Sequence, residues 1–507
     1  MMRVALVFIF LCCFPLQATA KSQEITIAFE EWPASFNPSL RSGTIVFSIG
    51  AQIFAGLTRL DEQGRAIPYL AKQWKLSEDK RTYTFYLREN AFFHDRTKIV
   101  ADDVIFSINF SRKNHPFYPF LENILKVRKI DTYSLEVVLR NPMESFPSFL
   151  IPILVPILPQ HCYQFTLDKF SVIGSGPFYI ENYEEPLSIT LKKFDKFFLE
   201  DKPKLETINY VILFDFYEFF YALKNNDIDM FMFYPCTGIE SYLDITDKNI
   251  MKQFVALPIT TIYPYMVITY NMRMPLFQDI RVRKALSLAL DKEKLTASYQ
   301  NFFVKPVNGG IPFTHPYYID IESEFDVKKA NELLNQAGYP RDKTGKRFSI
   351  TIDYLTYSYM SDIIHWIQQE WSKNLGIELL LRDRNVFANI GNENLIHDFE
   401  LFFDELLLWH DPFIGMYRLY TEKNIDRNKI WTNIGAYKNF EIETLFECVL
   451  KEEDTEKKKN LYVQIQKTLA NDYASLWLVS NMYYLIICLL FTSPSPRDRP
   501  NASMPYS

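Results

Sequence analysis

Between Thr82 and Phe110 the chain changes its hydrophobic period. Tyr83, Phe85 and Leu87 alternate with Thr84, Tyr86 and Arg88, the period-two pattern of a half-buried strand. From Ile99 onward, Val104, Ile105, Ile108 and Phe110 make the apolar face of a helix, and Asp102 is placed to cap it. A strand feeding directly into a helix restricts the chain to architectures that layer sheet against helix.

The rest of the sequence repeats that grammar. Ile25–Phe29 reads as a first strand, Glu31–Pro38 as a loop and Gly43–Gly56 as an apolar helix. Tyr133, Leu135, Val137 and Leu139 alternate in a further strand. Four prolines from Pro142 to Pro156 keep the apolar stretch there from being a regular span, so short packed turns are expected. Asp279 and Asp326 stand where they can cap two helices, the second stopped by Gly338 and Pro340. A third long helix, from Asp362, ends at Gly376 before a strand.

A length of 507 residues suggests about three domains, and 48% hydrophobic with 23% charged residues is a globular composition. The net charge of -6, without a basic block, argues against nucleic acid as a partner. Arg3, the apolar run Val4–Leu16 and the small residues Ala18-Thr19-Ala20 read as a cleavable export signal, with the mature chain starting near Lys21. Cys12 and Cys13 raise a lipid-anchor alternative, but Leu11 stands where a small residue normally precedes a modified cysteine. Cys162, Cys236, Cys448 and Cys488 are too widely spaced for a metal motif; one Cys162–Cys236 bridge or buried thiols are both compatible with export.

Catalytic signatures are missing. There is no Gly-x-Ser-x-Gly elbow and no His-Glu-x-x-His. Gly174-Ser175-Gly176 runs into the strand-like Pro177-Phe178-Tyr179-Ile180, whereas a nucleotide loop must open a helix. Gly338–Arg347 has the wrong spacing for a phosphate loop and reads as a helix stop and turn. No two histidines lie three or four residues apart, and His94-Asp95 reads as a structural pair. No cofactor, metal site or enzymatic activity is expected.

Several blocks, in order, resemble one family. They are Pro68-x-Leu70-Ala71-x-x-Trp74, Thr82-Tyr83-Thr84-Phe85-x-Leu87-Arg88, Phe93-His94-Asp95 and Ala101-x-Asp103-Val104-x-Phe106-Ser107. Gly174-Ser175-Gly176-Pro177 and Pro275-x-x-x-Asp279-x-Arg281-Val282-Arg283 continue the series. The chain is similar over about residues 25–485 to the family 5 extracellular solute-binding proteins, the peptide-binding receptors of ABC importers. The resemblance implies an α/β, periplasmic-binding-protein-like fold of two hinge-linked lobes plus an additional domain, with the ligand cleft between the lobes. On that pattern, residues 1–20 are the signal peptide. Residues 21–57, 172–262 and 478–487 form domain I, its last segment incomplete. Residues 58–171 form domain II, 263–477 domain III, and 488–507 an atypical tail that reads as non-native sequence. The implied function is capture of oligopeptides in the periplasm by a monomer that delivers them to ABC permease transmembrane subunits. A same-fold receptor for another solute, such as a metal chelate, is the alternative, with a secreted hydrolase behind it.

The same resemblance selects ligand-contact candidates. Phe36 and Asn37 lie in the loop that runs beside the family's cleft, though Asn37 before Pro38 also reads as a simple turn. In peptide-binding members an Asp about three residues before an Asp-Pro holds the peptide's α-ammonium. Here Asp411-Pro412 is present, but Leu408 occupies that position. Asp404 or Glu405 is expected to substitute if a bulge re-aims the strand. Trp409, Asp411, Trp431 and Tyr437 complete the candidates for the cleft wall.

Overall fold

The computed structural model describes residues 23–61, 64–162, 172–214, 216–233, 254–259, 262–297, 304–354, 358–384, 398–409, 411–425, 431–452 and 454–488. The export signal, the tail beyond Cys488, and Cys236 lie outside the described residues.

The first third of the chain builds β1 (Glu24–Phe29), α1 (Thr44–Ile53), β2 (Thr58–Leu60), β3 (Ala66–Pro68), β4 (Ala71–Leu76), β5 (Thr82–Leu87), α2 (Ala101–Asn114), β6 (Ile124–Asp131) and β7 (Ser134–Leu139). In β5 the apolar alternation becomes geometry: Tyr83, Phe85 and Leu87 are buried, while Thr84 and Tyr86 are half-buried. β4–β7 form an antiparallel sheet in the order β4-β5-β7-β6, and α2 packs on it. The helix cap differs from expectation. Val100 is the cap residue, and the Asp103 carboxylate accepts its N–H at 2.9 Å. Asp102 instead meets Lys129 at 2.6 Å on the surface. The proline-rich stretch folds into turns whose Phe146, Phe149, Leu150, Leu154 and Ile157 are buried in the core of this sheet.

Next come β8 (Phe178–Glu184), β9 (Ser188–Lys193), β10 (Thr207–Ile212), α3 (Phe216–Asn225), β11 (Met230–Phe233) and β12 (Phe254–Pro258). With β1 and the last described strand, β19 (Tyr484–Cys488), they form a mixed sheet ordered β12-β19-β11-β1-β10-β9-β8. β1 runs parallel to both neighbours. The Gly174–Gly176 turn enters this sheet against the end of α1. A Cβ at Gly174 would lie 1.7 Å from the Ile53 carbonyl oxygen, and one at Gly176 2.3 Å from that of Gln52. Both glycines therefore serve close backbone approach. His94 fixes the turn: its Nε2 bonds the Gly176 carbonyl at 3.1 Å and its Nδ1 accepts from the Gly174 N–H at 3.2 Å. Burial pulls the His94 pKa down to about 4, so the ring is neutral. His94 and Asp95 do not hydrogen-bond each other: Asp95 meets His161 at 2.7 Å, and its charge acts on His94 only as a minor raising effect on the ring.

The remaining elements, short helical turns aside, are β13 (Ile262–Tyr270), α4 (Ile280–Leu288), β14 (Val304–Pro306), α5 (Val327–Gln336), β15 (Ser349–Tyr354), α6 (Ser358–Leu375), β16 (Glu378–Asp383), β17 (Leu401–Trp409), α7 (Pro412–Tyr420), α8 (Phe440–Lys451), α9 (Thr455–Asn471) and β18 (Leu476–Asn481). The Asp279 and Asp326 side chains cap α4 and α5 by accepting the N–H of Arg281 and Lys329. Gly338 and Gly376, at φ +92° and +71°, end helices in the left-handed conformation that glycine tolerates best. The second large sheet is ordered β14-β18-β13-β17-β15-β16, with its own core of Met266, Ile268, Phe403, Leu401 and the inner faces of α4 and α6. β18, including Leu478–Asn481, belongs to this sheet, and the chain changes sheet after Asn481.

The molecule thus has two lobes. Lobe one holds the four- and seven-stranded sheets, lobe two the six-stranded sheet. Among the described residues the chain passes between the large sheets twice, from β12 to β13 and from β18 to β19. The Ile259 N–H donates to the Tyr483 carbonyl at 2.8 Å, tying the two crossings together.

Candidate functional site

The gap between the lobes is walled on one side by β17. Its pairing with β13 runs without a shift from Ile262 opposite Trp409 to Tyr270 opposite Leu401. The bulge expected near Asp404 is therefore absent, and simple alternation decides where the side chains go. Asp404, Leu406 and Leu408 share one face with Tyr263, Tyr265 and Val267; Glu405, Leu407 and Trp409 share the other. Adjacent acids point in opposite directions.

Glu405 faces the crossing. Its carboxylate accepts a hydrogen bond from the Tyr483 hydroxyl, on the segment that returns to lobe one. Glu30 and Glu31, at the carboxyl end of β1, approach from lobe one. Burial raises the Glu30 pKa to about 7, and the negative charge of Glu405 adds to the rise. Burial likewise raises Glu31 to about 7, with Glu30 as the second cause. Among the described residues, no basic group offsets either shift. Among the described residues, neither carboxylate has a hydrogen bond or ion pair. Both side chains are desolvated yet keep some solvent contact, the combination a concave surface produces. Three acids from two lobes thus converge, Glu405 on Glu30 and Glu30 on Glu31.

Trp409 stands further along the same face of β17. Its ring lies 5.9 Å from Phe47 of α1 and 6.5 Å from Phe117, both in lobe one. Its carbonyl accepts from His315 at 3.2 Å. The indole Nε1 is buried without a hydrogen-bond partner among the described residues.

The other candidates lie elsewhere. Asp404 points into lobe two, where its carboxylate accepts from Trp431 Nε1 at 3.2 Å. Burial raises its pKa to about 7, against the lowering effects of its hydrogen bonds and Arg418. Arg418, fully enclosed, sits 4.3 Å above the Phe117 ring and donates to the Trp431 carbonyl; burial lowers its pKa to about 10. Asp411 caps α7, accepting from the Phe413 N–H at 3.0 Å and the Tyr462 hydroxyl at 3.1 Å. Its second oxygen takes the Ser145 hydroxyl of lobe one at 3.2 Å. Tyr437 is buried inside lobe two against Tyr420. Phe36 is buried in lobe one against Trp32 and Tyr183, and Asn37 closes a turn by accepting the Ser39 N–H at 2.9 Å. Leu408, where the peptide-binding pattern has an acid, is buried on the Asp404 face.

The structure therefore brings Glu405 and Trp409 to the interlobe gap and joins Asp404 with Trp431 behind the strand. It adds Glu30, Glu31 and Tyr483, which the sequence reading missed. One signal pointed to the first two: in open α/β sheets ligands bind beyond the carboxyl ends of parallel strands, and Glu30-Glu31 follows such a strand directly. Among the described residues one group of metal-capable donors converges away from the gap, Asp95, His161 and Cys162, with ligand atoms within 4.8 Å of one another. No described helix is long and apolar enough to cross a membrane.

Known proteins share this plan. A dipeptide-binding protein of Bacillus subtilis, DppE, is 26% identical over 409 residues, 73% of this chain and 72% of its own. The oligopeptide-binding protein AppA of Bacillus subtilis, solved in complex with a nonapeptide, superposes with a TM-score of 0.78 at 23% identity, covering 92% of this chain and 94% of that one. NikZ of Campylobacter jejuni, solved with Ni(L-His), superposes at 0.77 with 21% identity and covers 92% and 94%. The sequence profile of the bacterial extracellular solute-binding proteins, family 5 Middle, matches residues 65–427, well over half of the chain. The two-lobed chain with its acid-lined gap belongs to the bacterial extracellular solute-binding proteins of family 5.

Proposed function

We propose that this protein is the periplasmic receptor of an ABC importer, capturing oligopeptides between its lobes as a monomer and handing them to the permease's transmembrane subunits. The observation that carries this reading is the meeting of Glu405 with Glu30 and Glu31 in the interlobe gap, an anionic site offered to a ligand ammonium. Glu405, one of the two acids expected to substitute at the Leu408 position, takes over the anchoring of the peptide α-ammonium without any bulge, while Asp411 is committed to capping α7. Trp409 lines the wall beside it and offers its indole N–H to a ligand acceptor. Asp404 and Trp431 stiffen the strand from behind.

Closure follows from population shift. A ligand that touches acids of both lobes gains its full set of contacts only when the lobes are together, so it favours the closed state. The names of DppE and AppA support a peptide as the occupant. The test is titration calorimetry and thermal shift with a length series of unblocked peptides, alongside mass spectrometry of whatever co-purifies from the exporting cell. Saturable binding of unblocked peptides is expected. Recovery of nickel–histidine species alone, with no response to any peptide, overturns the reading in favour of a chelate receptor.

A further inference from the structure

One ammonium neutralises one carboxylate, and the gap holds three. Glu405 has Tyr483 as a neutral donor, but the Glu30 and Glu31 carboxylates have no hydrogen bond or ion pair among the described residues, although both residues are half-buried. A monovalent ligand group placed at Glu405 leaves two desolvated acids side by side, an arrangement that costs stability unless they meet a second cation or bind protons.

A second, independent feature shows that the same wall is built for a ligand. Trp409 is 7% exposed and Asn481 0%, yet the indole Nε1 and both polar atoms of the Asn481 amide find no partner among the described residues. Trp409 lies four residues beyond Glu405 and so on its face of the sheet. Ser480 pairs with Tyr265, on the Asp404 face; Asn481, the next residue, therefore falls on the Glu405 face, opposite Val304. Buried polar groups are nearly always satisfied, so a donor and an amide left open on one face imply a polar occupant.

Resting on the peptide-receptor reading, we infer that the site selects ligands with two neighbouring positive charges, peptides whose first residue is lysine or arginine. The α-ammonium lies on Glu405, and the first side chain carries its cation across to Glu30 and Glu31. The amide of Asn481 and the indole N–H of Trp409 take the polar main chain. The dication thus spans acids of both lobes.

The experiment compares three peptides identical after the first position: one starting with lysine, one with norleucine, and one with norleucine and an acetylated amine. Calorimetry near neutral pH and at low salt reads the dissociation constants. The lysine peptide is expected to bind at least about tenfold more tightly than its norleucine counterpart. Glu31→Gln is expected to shrink that ratio to about threefold or less. The wild-type ratio stands by itself, so the inference remains testable even where a variant fails to fold. Equal binding of the lysine and norleucine peptides overturns the two-charge inference and leaves the peptide receptor standing. No binding by any of the three, or by a longer series, overturns the receptor reading and the inference together.

Discussion

The Tyr483 hydroxyl donates to the Glu405 carboxylate at the place where the chain returns from lobe two to lobe one. Tyr483 also accepts the Ile259 N–H through its carbonyl. One residue therefore joins the ligand wall to both strands of the crossing. Any change in how Glu405 is used bears directly on the segment about which the lobes turn.

Glu405→Gln and Asp404→Asn separate the two faces of β17. Glu405→Gln should weaken binding of unblocked peptides by about 2–5 kcal/mol, because it removes the charge that meets the ammonium. Asp404→Asn keeps an acceptor for Trp431 Nε1 and should change affinity by about 1 kcal/mol or less. Calorimetry on both variants checks this, and equal losses would contradict the assignment of faces.

Tyr483→Phe removes one hydroxyl and little volume. It should cost about 1 kcal/mol of stability, the net worth of a typical hydrogen bond, seen in thermal unfolding. Because the lost donor steadies Glu405 beside the crossing, peptide affinity should fall as well. A drop in melting temperature with unchanged affinity would detach Tyr483 from binding.

The raised acids set a pH dependence whose sign is fixed. Glu30 and Glu31 titrate near about 7 in the folded protein, chiefly because they are buried and then because Glu405 and Glu30 are anionic neighbours. An unfolded glutamic acid titrates at about 4.3, so between those values the native state holds more protons. The ligand-free protein should lose melting temperature as pH rises through that window. A cationic ligand favours the ionised acids, so its affinity should rise over the same range. Glu30→Gln should flatten both curves; a ligand affinity that falls with rising pH would contradict the site.

Gly174→Ala and Gly176→Ala test the turn that His94 holds. A methyl at either position runs into the last carbonyls of α1, backbone that cannot swing aside. Each should cost about 3 kcal/mol or more, at the upper end of overpacking penalties. Chemical denaturation of the variants measures it, and near-native stability would show that α1 can yield.

Local chemistry was legible where it was self-contained. The alternation in β5 and the caps at Asp279 and Asp326 need only neighbours in sequence, and each is found where spacing places it. Rivalry between adjacent acids was not legible. Asp103 rather than Asp102 serves the start of α2, because Asp103 also reaches the Gln160 N–H from a distant loop at 3.0 Å. At the site, the strand β17 and its acids were visible, but the regular register with β13 is a property of two strands far apart in the chain. Phe36 resembled a contact residue from its loop position, and only the packing of Trp32 and Tyr183 shows it inside lobe one. Glu30 and Glu31 gain meaning only once Glu405 stands opposite them.

The place of β19 has a consequence for how the molecule is made. It lies between β11 and β12 and pairs with both, although it comes from the far end of the described chain. Until Tyr484 has left the ribosome, those two strands flank an unfilled slot, and each presents an unpaired edge to any passing chain. Synthesis takes on the order of tens of seconds for a chain of this size, so the vulnerable interval is long. Such a protein gains from being kept unfolded until its last strand is at hand, and completing lobe one is then the step that commits it to the native state.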